Sequence, residues 1–260
     1  MEIEFLRDIG QRLFKEISLF KPQFNTTALG RGASGDTTFP IDKLAEDRII
    51  EAFEKAGAKI NIISEERGSK LIQENYPSLI IDPIDGSKNA VSGIPFFSTS
   101  IAIAEGETLK SLKLGYIINL VNGDEFWAKR DDGAFFNGQR IKTRDNTMPV
   151  IIAFEASTPH NAVKQILPVL KIANRVRCFG STALDLAYLS RGALSIFIVP
   201  TPSRIFDFSA GVLIAKESSA IVTDIEGNSI ENLKIAFNTK TTLLVSANET
   251  LHKKALDLIK

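Results

Sequence analysis

Residues 78–97 read SLIIDPIDGSKNAVSGIPFF. An apolar run, Leu79 to Ile81, ends on two aspartates, Asp82 and Asp85, followed at once by Gly86 and Ser87, with no histidine or cysteine nearby. A short apolar run closed by Pro and Gly reads as a buried strand. Carboxylates gathered at buried strand ends repel one another and lose hydration, so the arrangement is costly unless cations neutralise it.

Two further acidic points follow apolar segments in the same way: KINIIS (59–64) runs into Glu65 and Glu66, and SRIFDFSAG (203–211) carries Asp207. An all-oxygen cluster of this kind suits Mg²⁺, which keeps several waters and is usually completed by a substrate phosphate. The Gly86-Ser87 pair offers backbone N–H groups to that phosphate, more so where a helix begins at Ser87. Singly, each piece has a plainer reading. DPIDGS is turn chemistry, Glu65-Glu66 a solvated acidic loop, and Asp207 a helix N-cap.

Composition narrows the classes. Lys plus Arg and Asp plus Glu number 31 each, so the net charge gives no long-range pull toward nucleic acid or an anionic membrane. Apolar residues at 44% and charged residues at 24% describe an ordinary globular chain. The single cysteine, Cys178, excludes an internal disulfide, and with only two histidines a Cys/His zinc site is nearly excluded too. His160 and His252 are expected at the surface, without a nucleophile motif beside them. No stretch has the length and apolar character of a membrane span, and the charged N-terminus is unlike a signal peptide, so a cytoplasmic location is expected.

Around the acidic strand ends the period alternates. Ile3, Leu6, Ile9, Leu13 and Ile17 mark an amphipathic helix, and Ile41 to Phe53 a second one stopped by Gly57, with a long Gly-rich loop over 25–38 between them. FSTSIAIAEG, LKLGYIINL and DEFWAKR continue as strands, with a tight turn at Asn122-Gly123, and DDGAFFNGQRIKT adds another hairpin. Beyond Pro149 strands and helices alternate, with helices over 161–171, 182–191 and 208–216 and a last helix capped by Asn248. The pattern divides near Asn146 into residues 1–146, an α+β half with an antiparallel meander, and 147–260, an α/β half.

The segments SEERG (64–68), IIDPIDGSKNAVSGIPFFSTSIAIAEG (80–106) and FDFSAG (206–211) resemble, in order and spacing, the three metal-site motifs of the inositol monophosphatase family. GYIINLVNGDEFWAKRDDGAFFNGQRI (115–141) is similar to that family's central meander, and GSTALDLAYLSRGALSIFI (180–198) to its C-terminal helix and strand. The wording is closest to the archaeal type that acts on both inositol 1-phosphate and fructose 1,6-bisphosphate. The resemblance implies an α+β fold, a layered α-β-α-β-α sandwich, and Mg²⁺-dependent hydrolysis of a small phosphorylated sugar or polyol by a homodimer.

By the same resemblance, a first metal is held by Glu65, Asp82 and the carbonyl of Ile84, and a second by Asp82, Asp85 and Asp207. A third, weaker ion lies near Glu65, giving two to three Mg²⁺ per site, with Mn²⁺ as a substitute. Metal-activated water attacks in line, and its proton passes along a relay of Ser87 and Asp42. Substrate contacts fall on Gly86, Ser87, Lys88, Gly180 and Thr182, with Arg191, Arg204 or Arg177 for a second anion. Where inositol-specific members carry a glutamate ahead of the last metal aspartate, this chain has Pro200, which puts the inositol-hydroxyl contact in doubt.

Other readings have discriminating features. A 3′-phosphoadenosine 5′-phosphate or other sugar-phosphate phosphatase of the same fold would differ in substrate ranking. Haloacid-dehalogenase-type phosphatases use Asp-x-Asp-Gly-Thr; the additional residue here is expected to re-aim the second carboxylate, because strand side chains alternate faces. Some family members are regulatory partners of RNA and the transcription machinery rather than catalysts, but the neutral charge and lack of a basic aromatic patch speak against nucleic acid.

Overall fold

The structure is a computed structural model that describes residues 2–20, 27–72, 77–144, 148–155 and 159–259. Helix α1 (Ile3–Phe20) buries the stripe its periodicity defines, Ile3, Leu6, Ile9, Leu13 and Ile17. A small hairpin, β1 (Gly30–Arg31) and β2 (Thr37–Thr38), leads to α2 (Pro40–Lys55), which starts on a proline and stops before Gly57 at φ 65°. The part of the 25–38 loop within the described residues is thus partly strand. Residues 25 and 26 lie outside them.

An eight-stranded sheet is built from β3 (Asn61–Ser64), β4 (Gly68–Lys70), β5 (Ser78–Asp85), β6 (Ser98–Ala104), β7 (Leu112–Asn119), β8 (Glu125–Lys129), β9 (Gly133–Phe136) and β10 (Gln139–Ile141). Its order is β10-β9-β8-β7-β6-β5-β3-β4, antiparallel except where β3 runs beside β5. The short helix α3 (Ser87–Ser92) leaves the end of β5. The Asn122-Gly123 turn is a connection from Asn119 to Glu125 rather than a two-residue turn, because the Asn119 carbonyl accepts from the Gly123 N–H and widens it.

The second sheet has five strands: β11 (Ile151–Phe154), β12 (Arg175–Arg177), β13 (Ile196–Arg204), β14 (Ile221–Thr223) and β15 (Lys240–Ser246), in the order β12-β11-β13-β15-β14. Helices α4 (Pro159–Leu170), α5 (Thr182–Ser190), α6 (Ile205–Glu217) and α7 (Glu249–Ile259) complete the chain. Asn248 caps α7 by accepting from the Leu251 N–H at 3.0 Å, as the sequence suggests.

The elements stack as α1/α2, eight-stranded sheet, α5/α6, five-stranded sheet, α4/α7, the α-β-α-β-α sandwich expected. Three apolar cores lie between the layers. Side-chain alternation divides β5 between two of them: Leu79 and Ile81 join α1 and α2, while Ile80 joins the central core of α5 and α6. That core draws on Ile63, Ile80 and Ile117 from one half and Phe197, Phe206 and Leu243 from the other. The boundary expected near Asn146 falls at 145–147, outside the described residues. Helix α6 lies so close on β7 that a Cβ at Gly115 would stand 2.8 Å from the Ala210 carbonyl oxygen.

His252 departs from expectation. It is 5% exposed, its ring nitrogens 3.2 Å from Ser246 Oγ and 3.1 Å from Thr223 Oγ1, because α7 packs that face on the second sheet. Burial pushes its pKa below the usual histidine value. The native chain therefore keeps His252 neutral while the unfolded chain takes up a proton near pH 6.5, so this residue's stabilisation is present above that pH and lost below it. Thermal unfolding of His252→Gln followed from pH 7.5 to 5.5 should show a shallower loss of Tm than the wild type. Parallel slopes would refute the assignment.

Candidate active site

On a regular strand, Asp82 and Asp85 would face opposite sides. In β5 they do not. Asp82 pairs with Ser100 and Asp85 with Ser98 on β6, so three steps along β5 match two along β6, a bulge at Pro83-Ile84. Both carboxylates therefore face the central layer, where α6 brings Asp207. The residue expected to re-aim Asp85 is absorbed by the bulge, which Thr99 Oγ1 holds by donating to the Pro83 carbonyl at 2.7 Å.

Glu65, just past β3, completes the group. Glu65, Asp82, Asp85 and Asp207 are each 9% exposed or less. Burial pushes Asp82 well above the usual carboxylate range, reinforced by the charges of Glu65, Asp85 and Asp207. Burial does the same to Glu65, with Asp207 next in effect. Asp85 is pushed up to about 7 by burial, against hydrogen bonds from the Ser181 hydroxyl and the Ala183 N–H at 2.7 Å. These two donors place Asp85 on the N-terminus of α5, a contact with no counterpart in the sequence reading.

Asp207 sits at the third position of α6 rather than at its cap. Its Oδ2 accepts from the Arg204 N–H at 2.9 Å and from Ser203 Oγ at 2.6 Å. Asp42 holds the equivalent position in α2, accepting from the Phe39 N–H at 2.6 Å. Its other oxygen receives the Ser87 hydroxyl at 2.6 Å, the pairing that the family resemblance implies, and burial raises Asp42 to about 7. Ser87 Oγ also lies 2.8 Å from the Ile84 carbonyl, the expected backbone ligand.

Glu65, Asp82, Ile84, Asp85, Ser87 and Asp207 line one cleft of about 560 Å³, together with Gly86, Lys88, Gly180 and Thr182, while Asp42 stands behind Ser87. Gly86 is in the left-handed region at φ 96°. Asn89 Nδ2 donates to the carbonyls of Phe96 at 2.8 Å and Phe179 at 2.7 Å, tying α3 to the turn before α5. The sequence does not single out Asn89, although it lies inside the quoted motif. Glu155, Lys240 and Ser34 also line the cleft without any signal in the motifs. Asp185 on α5 is wholly buried with no hydrogen-bond partner on either oxygen among the described residues, and burial holds its pKa far up; in sequence it is only one position of an apolar helix.

Glu66 is not a solvated acid. Thr38 donates to it, and the hairpin docks on its neighbourhood through the Ala33 N–H to the Glu66 carbonyl at 2.9 Å and the Ser34 N–H to the Glu65 carbonyl at 3.1 Å. Two arginines are displaced from their expected role. Arg191 caps the far end of α5 from Thr182, and its guanidinium lies over Phe136 at 4.3 Å and Tyr188 at 5.5 Å, outside the cleft lining. Arg177, on the edge strand β12, donates to the Val176 carbonyl. Arg204 does line the cleft, but it faces carboxylates: Glu65 Oε1 at 3.2 Å, Asp207 Oδ1 at 3.4 Å, and Asp36.

Whether this set suits a metal is a matter of donors. All are hard oxygens, and two of them, Asp82 Oδ1 and Asp207 Oδ1, are buried with no hydrogen-bond partner among the described residues. Such atoms fit a hard divalent cation. Among the described residues no three acidic, histidine or cysteine side chains already stand in a closed ligand geometry, in keeping with the Arg204 guanidinium between Glu65 and Asp207.

The sequence model of the inositol monophosphatase family matches residues 1–260. The chain belongs to the inositol monophosphatase family. It is 33% identical over 258 residues to a fructose-1,6-bisphosphatase/inositol-1-monophosphatase of Archaeoglobus fulgidus, covering 98% of this chain and 96% of that one. A fructose-1,6-bisphosphatase of Pyrococcus furiosus is 34% identical over 270 residues, with both chains covered fully. The solved Thermotoga maritima IMPase superposes with a TM-score of 0.83 at 26% identity, covering 99% of this chain and 96% of that one. As a member of the inositol monophosphatase family the chain is a metal-dependent phosphoric monoester hydrolase, and no helix among its described residues is long and apolar enough to cross a membrane.

Proposed function

We propose that this inositol monophosphatase-family chain hydrolyses inositol 1-phosphate, fructose 1,6-bisphosphate or both, using Mg²⁺ held by Glu65, Asp82, the Ile84 carbonyl, Asp85 and Asp207. The observation that carries the reading is the convergence of four buried carboxyl groups, two with oxygens lacking a hydrogen-bond partner among the described residues, beside the Gly86-Ser87 turn. Bound there, divalent cations lower the pKa of water and neutralise charge on a transferring phosphoryl group.

The chain's own groups supply the rest. Gly86 lets the backbone approach an anion closely, and Lys88 offsets its charge at the cleft wall. Ser87 Oγ, between Asp42 Oδ1 and the Ile84 carbonyl, takes a proton from attacking water as its own passes to Asp42. With a pKa of about 7, Asp42 can hold that proton and return it near neutral pH. Gly180 and Thr182 at the start of α5 face the alcohol side of the ester. A homodimer and a cytoplasmic location are part of the same proposal, on the strength of the family resemblance.

The deciding experiment compares kcat/KM for inositol 1-phosphate and fructose 1,6-bisphosphate, with 3′-phosphoadenosine 5′-phosphate as the outgroup. The expected result is Mg²⁺-dependent turnover of at least one of the first two, well above the third. Preference for the third substrate would overturn the specificity, and the absence of Mg²⁺-dependent turnover with all three the catalytic reading itself.

A further inference from the structure

Arg204 is the one guanidinium that reaches the buried carboxylates of the cleft among the described residues, and its partners are unusual for a substrate contact. It touches Glu65 Oε1 at 3.2 Å and lies in ion-pair range, but not in hydrogen-bond geometry, of Asp207 Oδ1 at 3.4 Å; Nε is 3.4 Å from Asp207 Oδ2. Its other arm pairs with Asp36, whose side chain is 60% exposed on the hairpin at the cleft mouth. The ring of Phe206 lies under the guanidinium at 4.9 Å.

Four buried carboxyl groups without a counter-charge are strongly destabilising, and a guanidinium between two of them offsets part of that repulsion. Divalent cations bound at Glu65 Oε1 and Asp207 Oδ1 would repel a guanidinium held against the same oxygens. We infer that Arg204 is a displaceable counter-ion: it occupies one carboxylate from each of the two proposed ligand sets, Glu65 and Asp207, until divalent cations take them, and is then released toward Asp36 at the mouth. This inference rests on the metal-ligand reading above. It accounts for a guanidinium held between Glu65 and Asp207 while its second arm already pairs with Asp36.

An arginine that only braced the fold would, when removed, weaken metal binding. A competitor would do the opposite. Titration calorimetry of Mg²⁺ into Arg204→Gln should therefore give binding about tenfold tighter than to the wild type at low ionic strength. Metal-free Arg204→Gln should also melt lower than the wild type, with saturating Mg²⁺ raising its Tm by more. Arg204→Lys keeps the charge but cannot bridge two carboxylates with a planar fork, so a smaller gain in affinity is expected; it carries the test should the Gln variant not fold. Unchanged or weaker binding by both variants would overturn the counter-ion role. Asp207→Asn separates the two readings: Mg²⁺ affinity unaffected by that change would instead overturn the metal-ligand assignment on which the inference stands.

Discussion

Asp82→Asn should lose at least about 1,000-fold in kcat/KM and yet melt higher than the wild type when both are free of divalent metal. The two effects share one cause. Asp82 is 3% exposed, and burial together with the charges of Glu65, Asp85 and Asp207 opposes its ionised form. An amide of the same shape removes one charge from that repulsion, a gain of about 2 kcal/mol, or roughly 4–8 °C in Tm for a chain of this size. The same amide is a poor ligand for a hard cation, so the site loses the oxygen that both proposed metals share. Differential scanning calorimetry in chelator, repeated in saturating Mg²⁺, measures both halves: the stabilisation should vanish or reverse with metal, because only the wild type gains from binding. A lower melting point in chelator would mean that Asp82 stabilises the fold by a contact other than the metal, and unchanged turnover would remove it from the site.

The part of this site that the sequence makes legible is the part built from strand ends. Asp82 comes directly after a short apolar run and Glu65 one residue after another, and such runs announce both the strand and the burial of the residue at its end. The relay from Ser87 to Asp42 is legible only through the resemblance, since nothing in a Pro-Ile-Asp helix start points to a partner 45 residues on. The supporting contacts are not legible. The bulge at Pro83-Ile84 is set by pairing with β6, and the capping of α5 by Asp85 depends on a helix from the other half of the chain. Helix α6 starts three residues earlier than the helix the sequence suggests over 208–216, because the first turn is closed by Asp207 accepting from the Arg204 N–H, a contact that apolar period does not report. Arg191 stands outside the cleft for a related reason: α5 carries it a helix length away from Thr182, a distance that adjacency in sequence conceals.

Gly86→Ala should unfold about 6–12 °C below the wild type and retain on the order of one per cent of its kcat/KM. The backbone there has φ 96°, which a Cβ disfavours by about 1–2 kcal/mol. The added methyl would also stand 3.0 Å from the Gly180 carbonyl oxygen and 3.1 Å from that of Phe96. Neither can retreat freely, because Asn89 donates to the Phe96 carbonyl and to Phe179 next to Gly180. Overpacking against fixed backbone adds about 1–3 kcal/mol, bringing the total to about 3 kcal/mol, and Tm falls about 2–4 °C per kcal/mol. Any relief must come from moving the turn itself, which carries Asp85 on one side and Ser87 on the other; a displacement near 1 Å costs about 100-fold in rate. Gly138→Ala is the control. Its φ of 81° imposes similar backbone strain, but nothing among the described residues lies within 4 Å of the added methyl, at a turn between β9 and β10 outside the cleft lining. It should lose only the strain contribution in stability and leave kcat/KM intact. Equal losses in the two variants would show that φ alone, rather than the close approach of three backbone segments at the phosphate turn, requires glycine at position 86.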